Sequence, residues 1–192
     1  MPDQAPASID TKPRSGPPRE RILSTAYDLF YRDGIRATGI DRVIAESGVT
    51  KVTFYRHFPS KNDLIQAFLD HRHARWIAWF SAALVRHGGN LQALPDALAE
   101  WFDSPAFRGC AFLNSVAELG GTLPEVKAVT RRHKEEVAAI IAQLLPDSAA
   151  RQRNALALCV AVDGAIARAS YDPSPDAAIQ ALRTIVDAVA AV

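Results

Sequence analysis

The chain has 192 residues, a formal net charge of +1 and 48% hydrophobic residues, enough apolar material to build a sizeable core in one or two domains. It contains no window of about 18 uncharged apolar residues, which excludes a membrane-spanning helix, and the polar start Met1-Pro2-Asp3-Gln4 does not suit a secretory signal. Two cysteines, Cys110 and Cys159, make no disulfide framework and fit a reducing cytoplasm.

The residues up to position 17 are rich in Pro, Ser and Thr and read as a disordered arm. Pro17-Pro18 opens a first helix, with Ile22, Leu23, Ala26, Leu29 and Phe30 at helical spacing on one face and Gly34 placed to end it. Thr38-x-x-Asp41 has the form of a capping box for a short second helix with Ile40, Val43 and Ile44 inward. Ser47-Gly48 ends that helix, and Thr50 caps a third from Lys51 to His57. Ser60-x-x-Asp63 starts a long fourth helix to about Arg86, closed by Gly88-Gly89-Asn90. A fifth helix is expected over about 91–103, a sixth over 110–119 and a seventh from Thr122-x-x-Glu125 with Pro124 in its first turn. Pro146 ends the seventh, the eighth covers 148–171, and Ser174-Pro175 opens a ninth. No strand alternation of useful length and no internal repeat appears. The fold class is therefore all-α, with a helix-turn-helix domain at 18–62 and a helical domain at 63–192.

The second and third helices carry the chemistry. They are joined by Ser47-Gly48-Val49-Thr50, a short glycine-containing turn of the kind two steeply crossing helices need. The third helix gathers Lys51, Val52, Thr53, Tyr55, Arg56 and His57 into a turn and a half, while Phe54 and Phe58, four apart, anchor it. Hydroxyls at Thr38, Thr50, Thr53 and Tyr55 and cations at Lys51, Arg56 and Lys61 are groups that bond phosphate oxygens. Lys51 or Arg56 is long enough to reach a guanine edge. Charge supports this: residues 1–62 hold ten Lys/Arg against seven Asp/Glu, and residues 63–192 hold twelve against fourteen.

The string Gly48-Val49-Thr50-Lys51-Val52-Thr53-Phe54-Tyr55-Arg56-His57-Phe58-Pro59-Ser60-Lys61 closely resembles the signature of the TetR family of repressors. Ala26-x-x-Leu29-Phe30-x-x-x-Gly34 and Ile44-Ala45-x-x-x-Gly48-Val49 match upstream. The resemblance implies about nine helices, a homodimer, a small-molecule effector pocket in the C-terminal domain, and repression at a double-stranded DNA operator relieved by ligand. It implies that Thr38, Thr50, Thr53, Tyr55, His57 and Lys61 touch the DNA backbone and that Lys51, Val52 and Arg56 lie nearest the bases. Val52 stands where the family often has glycine, and Phe54 where it often has leucine.

The remainder is less distinctive. Small residues on the eighth helix, including Ala157, Ala161 and Gly164, and Ile179, Leu182, Val186 and Val189 on the ninth suit a four-helix dimer interface, or else complete the core of one chain. Pocket candidates are Trp76, Trp79, Phe80, Trp101, Phe102, Phe107, Cys110 and Phe112, with Asn114, Glu118, His133 and Asp163 as polar anchors for a mainly apolar effector. The segment Gly109-Cys110-x-x-x-Asn114 resembles one TetR subgroup, and regulators of related type sense electrophiles or oxidants through a cysteine. Cys110 is therefore either a thiol sensor, with Arg108 as the nearby cation in sequence, or a small buried apolar residue. A rival from another class is an enzyme using Cys110, His133 and Asp163 as nucleophile, base and orienter. No cofactor or metal site is expected: His71 and His73, two apart, point to different faces of a helix.

Overall fold

A computed structural model of the protein describes residues 16–191; the expected disordered arm lies outside them except for Gly16 and Pro17. The described residues form nine helices and no strand, in the order α1 (Pro18–Asp33), α2 (Ile40–Ser47), α3 (Lys51–His57), α4 (Lys61–Arg86), α5 (Ala93–Phe102), α6 (Ala111–Leu119), α7 (Pro124–Gln143), α8 (Arg151–Ala169) and α9 (Asp176–Ala190).

The helix ends follow local chemistry. Gly34 (φ 89°) closes α1 and donates its N–H to the Phe30 carbonyl at 3.2 Å. Gly48 closes α2 in the left-handed region (φ 65°), where a Cβ would be strained. Thr50 caps α3 by accepting the Thr53 N–H. At α4 the Ser60 hydroxyl accepts the Asp63 N–H at 3.2 Å and donates to the Asp63 carboxylate at 2.6 Å.

Two expected caps take another form. The N-cap of α2 is Gly39, not Thr38, and it has no side-chain bond. Thr38 turns back instead and donates to the Gly34 carbonyl at 2.7 Å. Thr122 likewise donates to the Leu119 carbonyl at 3.2 Å, tying the end of α6.

The chain divides into two compact units. One holds α1, α2, α3, α4 up to His73, and Ala111–Thr130. There α1 packs on α2 and on α3. Ile22, Ala26, Leu29, Phe30, Val43, Phe54, Phe58, Leu64, Phe68 and Leu69 are buried. Phe68 meets Tyr27 and Phe30 edge-on at 5.8 and 5.5 Å. Arg72, buried, donates to the Tyr27 hydroxyl at 2.7 Å and lies 3.8 Å from the centre of the Tyr31 ring, so its charge is met by a phenol and a π face.

The other unit holds Ala74–Cys110 and the chain from Arg131 onward. There α9 packs on α8 and on α5. Arg183 of α9 meets Asp96 of α5, and Gln92 bonds Asp187 at 3.0 Å. No described helix is long and apolar enough to cross a membrane.

Candidate nucleic-acid interface

The recognition face is built by burying two aromatic rings and exposing the residues between them. Phe54 and Phe58 are buried, with ring centroids 6.3 Å apart. This fixes α3 along one side and turns Lys51, Val52, Tyr55 and Arg56 outward. Val52 is 70% exposed. An apolar side chain left in water on so short a helix gains nothing for the fold, but suits a thymine methyl in the major groove. The Tyr55 ring stands edge-on to Phe54 at 5.3 Å, and the residue remains exposed.

The turn before α3 is also held. Arg21 of α1 donates to the Gly48 carbonyl at 2.6 Å, so one α1 side chain pins the corner between the two crossing helices. The Thr50 and Thr53 hydroxyls bond each other at 2.9 Å, which leaves each with remaining capacity toward solvent. Lys51 approaches Asp41 of α2 only to 3.8 Å, and both side chains are mostly exposed, so this weak pair leaves the ammonium able to swing onto a phosphate. His57 is half-buried at the end of α3.

Two residues expected at phosphates have internal partners. Thr38 has no exposed surface, and its hydroxyl is spent on Gly34. This corrects its assignment: a side chain sealed inside the α1–α2 corner cannot reach DNA. Lys61 donates to the Ile35 carbonyl at 2.6 Å, and burial pushes its ammonium below the ordinary lysine range. Its first role is to tie the start of α4 to the loop after α1.

The aromatic candidates assemble in the other unit. Trp76 stacks on Phe80 at 4.6 Å and meets Trp101 and His133 edge-on at 5.6 and 5.1 Å. Trp101 continues the cluster to Phe102 and Phe107, and Trp79 joins Trp76 and Trp101. The Trp76 and Trp101 indole N–H groups are buried with no acceptor among the described residues. Phe112 and Asn114 belong instead to the unit that holds α1 to α3, and Asn114 is exposed. Glu118 of α6, a polar candidate for the same pocket, instead accepts the Arg36 N–H of the loop after α1.

Cys110, buried, faces a cation that spacing did not disclose. Lys134 Nζ lies 3.6 Å from its Sγ and forms a tight ion pair with Asp163. Burial alone lowers the Lys134 pKa, but Cys110 and Asp163 outweigh it and hold the ammonium above the ordinary range. Burial pushes the neighbouring Cys159 thiol up. Of the residues of the enzyme reading, Asp163, the intended orienter, is bound to Lys134, and the His133 ring meets Trp76.

On α8 and α9 the faces also differ from expectation. Ile179, Leu182 and Val186 are buried within the single chain, which removes them from any subunit interface; Val189 is half-buried. The outward face is instead Leu156, Ala157, Val160, Gly164 and Tyr171 of α8 and its end with Ile185 of α9, while Ala161 is half-buried. The signal was legible as a second apolar stripe on α8, out of phase with the buried Ala155, Leu158, Cys159, Val162, Ala165 and Ile166.

A capped three-helix motif with an exposed, cation-bearing third helix and a separate helical unit defines a helix-turn-helix DNA-binding regulator. Residues 22–68 match the family model described as bacterial regulatory proteins, tetR family. SCO4454, a TetR-family transcriptional regulator from Streptomyces coelicolor, is 34% identical, with a TM-score of 0.81 over 91% of this chain and 88% of that one. A TetR-type regulator from Streptomyces avermitilis is 26% identical, with a TM-score of 0.72 over 91% and 98%. The HTH-type transcriptional activator FasR of Mycolicibacterium smegmatis is 32% identical over 85 residues, 44% of this chain and 39% of that protein. The chain thus spans less than half the length of this curated relative. The chain belongs to the TetR family of transcriptional regulators.

Proposed function

We propose that the protein is a cytoplasmic, ligand-responsive repressor that binds a near-palindromic operator as a homodimer and is released by a small apolar effector. The exposed face of α3 carries the reading: Lys51, Val52, Tyr55 and Arg56 point outward from a helix whose Phe54 and Phe58 are fully spent on anchoring. Thr50, Thr53, Tyr55 and His57 contact phosphates, and Lys51, Val52 and Arg56 read base edges. Two such helices about 34–36 Å apart read successive major-groove faces, which one short helix cannot do alone. The exposed Leu156–Val160 face of α8 supports pairing with a second copy.

The effector reading rests on the tryptophan cluster. Two buried indole donors without an acceptor are costly, and an aromatic ligand bearing a carbonyl or ether oxygen would relieve them. A ligand of this kind releases DNA only by binding one dimer conformation better than another.

The test is selection from a random pool of duplexes with the purified protein, followed by a gel-shift titration of the selected duplex. Tyr55→Ala should weaken binding at least tenfold with the helical content retained. Failure to enrich any duplex, or unchanged affinity in the variant, defeats the reading. Because FasR is named an activator, the sign is read in a reporter carrying the selected duplex: repression lowers output, activation raises it.

A second reading is favoured by Lys134 beside Cys110. There the Cys110 S–H adds across the double bond of an unsaturated carbonyl, forming an S–C bond while the proton ends on the adjacent carbon. Alkylated protein with unchanged affinity for the selected duplex removes this reading.

A further inference from the structure

Glu118 stands on α6, yet its carboxylate lies on the loop that joins α1 to α2. Its Oε2 accepts the backbone N–H of Arg36 at 2.8 Å. Both carboxylate oxygens are 3.4 Å from where a Cβ on Gly34 would stand, and Gly34 has φ +89°. The backbone conformation at 34 is what calls for glycine; a Cβ there would stand in ordinary van der Waals contact with this carboxylate. One residue on, the Ile35 carbonyl accepts from Lys61 of α4 at 2.6 Å. The negative charge of Glu118 also supports the Lys61 ammonium against its burial.

Two consecutive residues are therefore held from two helices, the Ile35 carbonyl by α4 and the Arg36 amide by α6. The loop they belong to continues through the buried Thr38 to Gly39, where α2 begins without any side-chain cap. With no side-chain cap of its own, α2 starts directly from this loop, and the corner between α2 and α3 at Gly48 is held in turn by Arg21 of α1.

We propose that Glu118 is a positioning residue for DNA recognition: by holding the Arg36 amide it fixes the loop from which α2 starts, and with it the presentation of α3. The inference rests on the DNA-binding reading above. It makes a side chain of α6 a determinant of operator affinity through the Arg36 amide.

The experiment uses the full chain and a duplex that the wild-type protein selects from a random pool. Glu118→Ala should raise Kd for that duplex about tenfold and speed hydrogen exchange at the Arg36 amide. The active fraction in a stoichiometric titration should stay as in the wild type, which a variant that merely unfolds would lower. Glu118→Gln retains a carbonyl acceptor and should recover at least half of the lost affinity on a logarithmic scale. Unchanged Kd in Glu118→Ala overturns the proposal, as does a loss matched by a fall in active fraction. If the wild type selects no duplex, both the proposal and the reading beneath it fall.

Discussion

If the chain pairs through α8 as proposed, replacing Val160 with glutamate should convert the dimer into monomers without unfolding the chain. In the single chain Leu156 is 62% and Val160 65% exposed. Full burial of such a side chain contributes about 1.5–3 kcal/mol. The part still to be gained on pairing is therefore about 1–2 kcal/mol each, and two-fold symmetry doubles it to about 4–8 kcal/mol for both residues. Association costs roughly 4–15 kcal/mol in lost freedom, so Tyr171, Ile185 and the close approach allowed by Ala157 and Gly164 must supply the remainder. Glutamate at 160 removes the central apolar contact and brings two carboxylates toward each other. The dimer constant should weaken by roughly a thousandfold, equivalent to about 4 kcal/mol. Sedimentation equilibrium at micromolar concentration reads the change, and circular dichroism checks that the helices persist. A Val160→Glu protein that remains as dimeric as the wild type refutes the assignment of this face.

Thr50→Ala removes the N-cap of α3 and should cost about 1 kcal/mol of stability, measured by urea denaturation, together with a loss of DNA affinity. Lys51→Ala should reduce the salt dependence of DNA binding by roughly one unit of slope for each phosphate the ammonium neutralises, whereas Tyr55→Phe should weaken binding and leave the slope alone. In Glu100, burial works to raise the carboxyl pKa, but the hydrogen bonds from His87 and Arg86 outweigh it and hold the group below its ordinary value. Its contribution is therefore present above about pH 4.3, the unfolded value, and is lost as pH falls through the lower folded value. The group is about one-third exposed, so screening keeps the contribution under about 1 kcal/mol. The difference in thermal midpoint between wild type and Glu100→Gln should be present at neutral pH and vanish toward the acid end.

What the sequence discloses is mostly local. Gly34, Gly48, Thr50 and Ser60 mark helix ends through backbone and capping chemistry that needs only a few neighbouring residues, and the structure uses all four as such. Phe54 and Phe58, four apart, announce the anchored side of α3. Long-range pairings leave no such trace. Arg21 on the Gly48 carbonyl spans 27 positions, and Glu118 on the Arg36 amide spans 82. Thr38 has the spacing of a cap, yet the N-cap of α2 falls one residue later at Gly39, and the Thr38 hydroxyl donates to the Gly34 carbonyl instead. Ile179, Leu182 and Val186 have the periodicity of an interface because a core face and a subunit face share the same spacing; only packing against α5 and α8 distinguishes them. Lys134 reaches Cys110 from 24 positions away, which no motif at the cysteine foretells.

The central claim is that α3 reads duplex DNA through phosphate-anchored groove contacts. Its most direct test is the affinity of the selected duplex measured across a salt series. The logarithm of the binding constant should fall linearly with log salt, with a slope of several units set by the phosphates neutralised, and Lys51→Ala should flatten it. Binding that is indifferent to salt, or a slope that Lys51→Ala leaves unchanged, would contradict the assignment of this face to DNA.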